Sequence, residues 1–242
     1  MLALRSPGHY IAQAMLGTLK EIFRGVERRL RRPAAEGPLT PATKRKARLH
    51  FYLFDHAFLR LFWTNMDEVA PGVFRSNQPG RRRLRQLARD GVKGVISLRG
   101  PNRTPAFVLE EAYCERFGLE MHVAELQARK PPLTENVIDL IETFRRVPHP
   151  FVMHCKSGSD RAGLASAIYL LAIENASLEE ARKQLSMRYL HSAHTKTGVL
   201  DRFLDLYEAR LAKGPIPFED WVRTEYDGQA MRDSLRDKGQ PE

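Results

Sequence analysis

Near the start of the chain, apolar residues recur at steps of three and four. Ile11, Met15, Leu19, Ile22, Val26 and Leu30 form one stripe, and Lys20, Arg24, Arg28 and Arg31 lie away from it. The spacing predicts a basic amphipathic helix within residues 1–32. Residues 33–43 contain three prolines and Gly37 with little to bury, and read as a linker. From Leu49 to Trp63 the chain is apolar around most of a helical circumference, which predicts a helix buried against the following domain. After Pro71-Gly72, short β-branched runs alternate with helical patterns. Strands are expected at Val73–Ser76, Val92–Leu98, Leu119–Ala124 and Pro150–His154. Helices are expected at Arg82–Asp90, Pro105–Phe117, Leu133–Val147, Arg161–Glu174, Leu178–Tyr189 and Thr197–Lys213. This alternation predicts an α/β fold with a central, mostly parallel sheet flanked by helices and a helical N-terminal extension. One domain is drawn over residues 44–213, with residues 214–242 as a helical or irregular tail.

Composition sharpens the picture at one end. The chain of 242 residues is 43% hydrophobic, enough for one well-buried domain and an extension, and carries a formal net charge of +10. Residues 1–50 hold 11 Lys and Arg against 3 Asp and Glu, so most of the excess sits there. Charge gathered in this way suits an anionic partner, or simply a solubilising tail. A reversible contact with an anionic membrane through residues 10–32 is expected, with docking on the domain or self-association as the alternative. No nucleic-acid partner, secretory leader or membrane span is expected; the densest apolar run is too short and carries His50, Asp55, His56 and Arg60. Only Cys114 and Cys155 are present, too few for a disulfide framework, so a cytoplasmic location with free thiols is expected.

The chemistry concentrates between Pro150 and Gly163, in the run Phe151-Val152-Met153-His154-Cys155-Lys156-Ser157-Gly158-Ser159-Asp160-Arg161-Ala162-Gly163. A buried strand delivers a cysteine into a loop of small residues, and the loop opens an apolar helix. Successive backbone N–H groups in such a loop converge on one point, where the positive end of the helix dipole adds to them. An anion fits there, and a thiol at the base of the loop is stabilised as thiolate. Arg161 can present a planar fork to two phosphate oxygens. Cys114, by contrast, sits mid-helix and reads as a packed small hydrophobe. His191 and His194 read as surface or capping residues, and no metal site is expected.

The C-x5-R spacing, preceded by His154 and followed by Gly163, resembles the protein tyrosine and dual-specificity phosphatase superfamily from about Pro71 to Lys213. The segments Gly72-Val73-Phe74-Arg75-Ser76-Asn77-Gln78-Pro79 and Val95-Ile96-Ser97-Leu98-Arg99 look like the entry strands of compact bacterial, atypical dual-specificity members. The resemblance implies a phosphocysteine on Cys155, formed and hydrolysed without metal or other cofactor. It also implies a substrate cradle of His154, Lys156, Ser157, Gly158, Ser159, Ala162 and Gly163 around Cys155 and Arg161.

Two positions depart from the family pattern. Ala162 stands where a Ser or Thr hydroxyl usually follows the arginine, with Ser157 or Ser159 as substitutes. The loop Glu125-Leu126-Gln127-Ala128-Arg129-Lys130-Pro131-Pro132 lacks the usual acidic aspartate. Asp160, inside a loop similar to those of myotubularin-like lipid phosphatases, is expected to be the general acid, with Glu125 or a purely structural Asp160 as alternatives. Lys156, Arg129 and Lys130 add charge that suits a phosphotyrosine protein or a multiply anionic phospholipid or inositol phosphate. The sequence therefore reads as a phosphomonoester hydrolase. Its rivals are a phosphate-binding pseudophosphatase with little turnover and, more weakly, a sulfurtransferase.

Overall fold

Every β-branched run becomes a strand of one five-stranded sheet in the computed structural model, which describes residues 21–22, 24–32, 36–55, 57–58, 60 and 63–237. The strands are β1 (Asp67–Ala70), β2 (Val73–Asn77), β3 (Gly94–Ser97), β4 (Glu120–Val123) and β5 (Phe151–Cys155), in the spatial order β1-β2-β5-β3-β4. β1 and β2 are antiparallel. The turn between them contains Gly72 at φ +76°, a conformation that glycine adopts without strain. The remaining pairs are all parallel. β5 is central and all five of its residues are buried, which is why it reads as a continuous apolar run and not an alternating one. β1, short and half-buried at the edge with a register shift between Glu68 and Ala70, has no comparable signal and was not expected.

Nine helices are bounded among the described residues: α1 (Pro41–Leu53), α2 (Arg81–Arg89), α3 (Pro105–Phe117), α4 (Thr134–Arg146), α5 (Asp160–Ala172), α6 (Leu178–Arg182), α7 (Val199–Leu211), α8 (Phe218–Thr224) and α9 (Gly228–Asp237). α5 buries every residue from Ala162 to Leu171, so it has no polar face and its small residues allow close packing. The core continues past residue 213, where the domain was expected to end. Phe203 and Tyr207 of α7 pack with Phe218, Trp221 and Tyr226, ring centroids 4.9 to 6.0 Å apart in the contacts of Phe203. These aromatics join the same buried cluster as β5 and α5.

The described residues fall into two compact units. One comprises the residues up to Phe58 with Arg103–Leu109, the other Leu59–Asn102 with Glu110 onward. In the first unit, residues 21–22 and 24–32 are helical, and Ile22 and Val26 of the expected stripe are exposed. The earlier part of that stripe, with residues 10–20, lies outside the described residues. The apolar helix expected over Leu49–Trp63 is displaced. Its start lies in the stretch read as linker, where Thr40 caps it by accepting from the Thr43 N–H at 3.2 Å and Pro41 occupies the first turn, and it stops at Leu53. Ala47, His50 and Phe51 are buried, while Leu49, Tyr52 and Leu53 are exposed.

In the second unit, the helix expected from Leu178 to Tyr189 ends at Arg182, and Met187–Tyr189 forms a single 3₁₀ turn. The cause is tertiary: the carbonyl of Gln184 accepts from Arg75 at 2.7 Å instead of continuing the helical ladder.

Candidate active site

The parallel register sets Cys155 beside Asn77 of β2, and His154 beside Ser76 of β2 and Ser97 of β3. The carboxyl end of the central strand thus opens between its two neighbours, where an open α/β sheet holds ligands. From there residues 156–159 form a loop that enters α5 at Asp160.

Each carbonyl of the loop is bound from outside. That of Lys156 accepts from Arg60 Nη1 at 3.2 Å and from the Gln78 N–H at 3.4 Å, and that of Ser157 from Asn65 Nδ2 at 3.4 Å. Those of Gly158 and Ser159 accept from Arg75 Nη2 at 2.7 and 3.1 Å. In a trans peptide the N–H points opposite to the C=O, so carbonyls fixed outward turn the N–H groups inward. One of these, from Gly158, donates to Cys155 Sγ at 3.3 Å. Gly158 is at φ +77°, and a Cβ there would lie 2.7 Å from the Asn77 nitrogen, so only glycine fits. Gly163 has a packing reason: a Cβ would meet the Gln184 carbonyl at 2.6 Å.

Arg75 is fully buried and holds this arrangement together. Besides the two loop carbonyls it donates from Nη1 to the carbonyl and Oε1 of Gln184, at 2.7 and 2.9 Å. Its guanidinium carbon lies 3.6 Å over the Tyr189 ring, and the Tyr189 hydroxyl donates to Asp67 Oδ2 at 2.6 Å. Burial lowers the pKa of Arg75 to about 10, partly offset by Tyr189, Cys155 and Asp67, so it stays a cation at neutral pH behind the cysteine loop.

His154 is buried beside the buried Glu110 side chain: its Nε2 lies 2.7 Å from Glu110 Oε1, off the hydrogen-bond axis. Glu110 Oε2 accepts from Gln78 Nε2 at 3.0 Å, and Gln78 Oε1 accepts from Arg99. A polar chain thus braces the strand end next to Cys155. Arg161 opens α5 half-buried, and its Nε has no acceptor among the described residues. A buried donor left open in this way suits an oxyanion.

The reading of His191 as a surface or capping residue is corrected. It is buried, donating from Nδ1 to Asp160 Oδ1 and from Nε2 to Asp201 Oδ2, each at 2.8 Å. Burial opposes its charge, but the bonds to the two carboxylates outweigh this and push its pKa up to about 9, so it is an imidazolium at neutral pH. Glu125 is exposed, and its side chain lies against Gly100, where a Cβ would come within 3.2 Å of it. Ala162 is fully buried, and among the described residues no hydroxyl is bonded to Cys155 Sγ; Ser157 Oγ instead accepts from the Ser159 N–H at 3.4 Å. Lys156 is partly exposed at the loop. Cys114 is buried, and burial, reinforced by Glu110, pushes its thiol pKa well up, as befits a packed hydrophobe. Among the described residues no group of three or more His, Cys, Asp and Glu is placed to hold a metal, and no helix is long and apolar enough to cross a membrane.

Arg75, Asn65, Gln78, Glu110, His191 and Asp201 were not among the expected site residues. Arg75 and Gln78 had a signal, since a charged and an amide residue interrupt and end an otherwise buried strand. His191 and Asp201 had none, being 31 residues and more from Asp160 in sequence.

Residues 64–181 match a family described as the tyrosine phosphatase family. Among solved structures, a DUF442 protein of Shewanella putrefaciens CN-32 is similar with a TM-score of 0.50 at 16% identity, covering 63% of this chain and 95% of that one. TpbA of P. aeruginosa aligns with a TM-score of 0.49 at 20% identity over 62% of this chain and 90% of that one. A complex of TpbA with phosphotyrosine aligns with a TM-score of 0.47 at 18% identity over 63% of this chain and 97% of that one. No curated protein matches the chain.

Proposed function

We propose that this chain, whose residues 64–181 match the tyrosine phosphatase family, is a phosphatase of the protein tyrosine and dual-specificity type that hydrolyses phosphomonoesters through a phosphocysteine on Cys155. The observation that carries this is the Gly158 N–H directed at Cys155 Sγ within a loop whose carbonyls are all held outward. The same N–H groups that stabilise a thiolate receive the equatorial oxygens of a phosphate, and Arg161 adds its fork. In the first step the thiolate attacks phosphorus, the bond to the leaving oxygen breaks, and that oxygen takes a proton from Asp160. In the second, water attacks the phosphocysteine, gives its proton to Asp160, and the thiolate departs. Phosphate and an alcohol or phenol result, with no net change in the enzyme.

Asp160 and His191 serve as one proton store in this scheme. The imidazolium hands a proton to Asp160 when the dianionic substrate arrives and recovers it after hydrolysis, while Asp201 holds the ring in place. Metal is not required, because the cradle itself neutralises the phosphate.

Ala162 favours a second reading, a phosphate-binding module with little turnover, since the hydroxyl that usually assists breakdown of the phosphoenzyme is missing. Steady release of phosphate from an aryl phosphate decides between the two. Cys155→Ser is expected to abolish turnover and trapping of a phosphoenzyme while retaining binding of a phosphate analogue, and Arg161→Lys to lose most of both. Turnover surviving in Cys155→Ser, or activity lost to a chelator and restored by a divalent ion, contradicts the scheme.

A further inference from the structure

Residues 69–89 contain six Arg and no Lys, Asp or Glu, a second basic run besides the one in residues 1–50. Four of them, Arg81, Arg82, Arg85 and Arg89, are exposed on α2, while Leu84 and Leu87 of the same helix are buried. The four fall within about 100° of the helix circumference, and Arg81 to Arg89 spans about 12 Å along its axis. Arg83 lies outside this arc and turns to Met66 Sδ at 2.7 Å. Among the described residues none of the four has an ion-pair partner; Asp90, which follows the helix, accepts from Gln86 Nε2 at 2.8 Å.

These charges work against the helix. Gly80 caps it without a side-chain hydrogen bond, its first turn has no carboxylate, and cations crowd the end where the macrodipole is already positive. Arg81 with Arg85, and Arg85 with Arg89, are like-charge pairs one turn apart, each destabilising. A local conflict of this kind marks a functional surface. Its position is set by the sheet. Asn77, the last residue of β2, is in register with Cys155, and the Gln78 N–H donates to the Lys156 carbonyl of the cysteine loop at 3.4 Å. Arg81 follows Gln78 by three residues, at most about 11 Å of chain. The stripe thus begins within reach of the cysteine loop. From there α2 carries it away, because the chain must return from the carboxyl end of β2 to the start of β3, and both strands are parallel to β5.

We propose that Arg81, Arg82, Arg85 and Arg89 dock an acidic segment flanking the phosphorylated residue of a protein substrate. This deepens the phosphomonoester reading and rests on it: the phosphate occupies the cysteine loop, and the segment beside it lies along α2. Arg81, Arg85 and Arg89 follow one another at about 6 Å along the axis, and alternate residues of an extended chain at about 6.6 Å. Carboxylates at every second position therefore meet one guanidinium each. Each guanidinium can hold its carboxylate through two parallel hydrogen bonds, which an ammonium cannot do. A membrane is the poorer occupant, since α2 exposes no large apolar side chain to insert.

The test compares full-length wild type with Arg82→Gln/Arg85→Gln/Arg89→Gln, which keeps a good helix former at each position, with thermal unfolding confirming that both fold. The substrates are an aryl monophosphate and three phosphotyrosine peptides: one with glutamates at alternate positions before the phosphotyrosine, one with them after it, and one with glutamines in their place. The ratio of kcat/KM for an acidic peptide to that for the glutamine peptide is expected to fall about tenfold in the variant, chiefly through KM, and the effect to shrink in high salt. A selective fall for either acidic peptide supports the proposal, and a fall for one alone also gives the direction of the bound segment. No selective fall overturns it, as does a variant that loses binding to phosphatidylglycerol vesicles or a duplex oligonucleotide while its peptide ratios stay unchanged. The charge-reversed variant Arg82→Glu/Arg85→Glu/Arg89→Glu is expected to prefer a peptide with lysines at the same positions, and a retained preference for glutamates overturns direct contact. Calorimetric titration of the Cys155→Ser protein with the acidic phosphopeptides, with and without the three Arg→Gln substitutions, reads the stripe without turnover. If wild type fails to hydrolyse the aryl monophosphate, the Cys155 chemistry is refuted, and the titration still decides the stripe: weaker binding in the substituted protein supports it, unchanged or absent binding refutes it.

Discussion

Arg75 donates from Nη2 to the carbonyl of Gly158 at 2.7 Å, and this one bond sets the orientation of the peptide group whose neighbour points its N–H at Cys155. A fully buried guanidinium whose hydrogen bonds all go to carbonyl and amide oxygens is costly to place. It is retained here because it satisfies four acceptors at once: two loop carbonyls, the Gln184 carbonyl and Gln184 Oε1. Fold and chemistry meet at this side chain.

Arg75→Met is expected to destabilise the protein by about 3 kcal/mol or more, because the acceptors it leaves on Gly158, Ser159 and Gln184 are buried. Urea unfolding measures this. Arg75→Lys should recover part of the stability but little of the activity, since an ammonium cannot span Gly158, Ser159 and Gln184 together. Unimpaired aryl phosphate turnover in Arg75→Lys would show that the loop keeps its shape without the fork.

Gly158→Ala meets both a left-handed backbone and a Cβ 2.7 Å from the Asn77 nitrogen. The Asn77 backbone is paired in the sheet and cannot retreat. We expect a loss of about 2 kcal/mol or more in stability and a larger loss in kcat, as the N–H directed at Cys155 Sγ is displaced. Wild-type kcat with wild-type stability would mean that the loop relaxes freely.

The charge on His191 makes stability depend on pH in a stated window. Its folded pKa is raised to about 9 from the ordinary 6.5, so the folded state binds the proton more tightly than the unfolded one. The contribution is complete below about 6.5 and is lost as pH rises through about 9, amounting to about 3 kcal/mol at most. Denaturant midpoints between pH 6 and pH 10 should fall for wild type and fall less for His191→Asn. Parallel profiles would place the proton elsewhere.

Asp160→Asn should lower kcat strongly for a substrate with a poor alkyl leaving group and mildly for one with a good aryl leaving group, which departs without a proton. Glu125→Gln should do neither, since its side chain lies over Gly100. His191→Asn should follow Asp160→Asn in leaving-group dependence, because the two share one transferable proton in the proposed scheme. If Glu125→Gln alone shows the dependence, Asp160 is a structural residue of the loop.

The sequence by itself determined the elements with strong local signals. The apolar run into Cys155 reads as a strand buried on both faces, and the small residues after it read as a loop leading into an apolar helix; β5, the loop and α5 are found there. Tertiary structure decided what had no local period. The end of α6 was set by Arg75 taking the Gln184 carbonyl, a contact 109 residues long in sequence, and the partner of Asp160 was set by where α7 brings Asp201 and the preceding turn brings His191. The aromatic residues after 213 looked like a tail because short helices separated by Gly214 and two prolines carry little periodicity, yet burial against Phe203 and Tyr207 makes them core. Hydrophobic period reports which face of an element is covered; it does not report which distant polar group will satisfy a buried one, because that is fixed only when the chain has closed on itself.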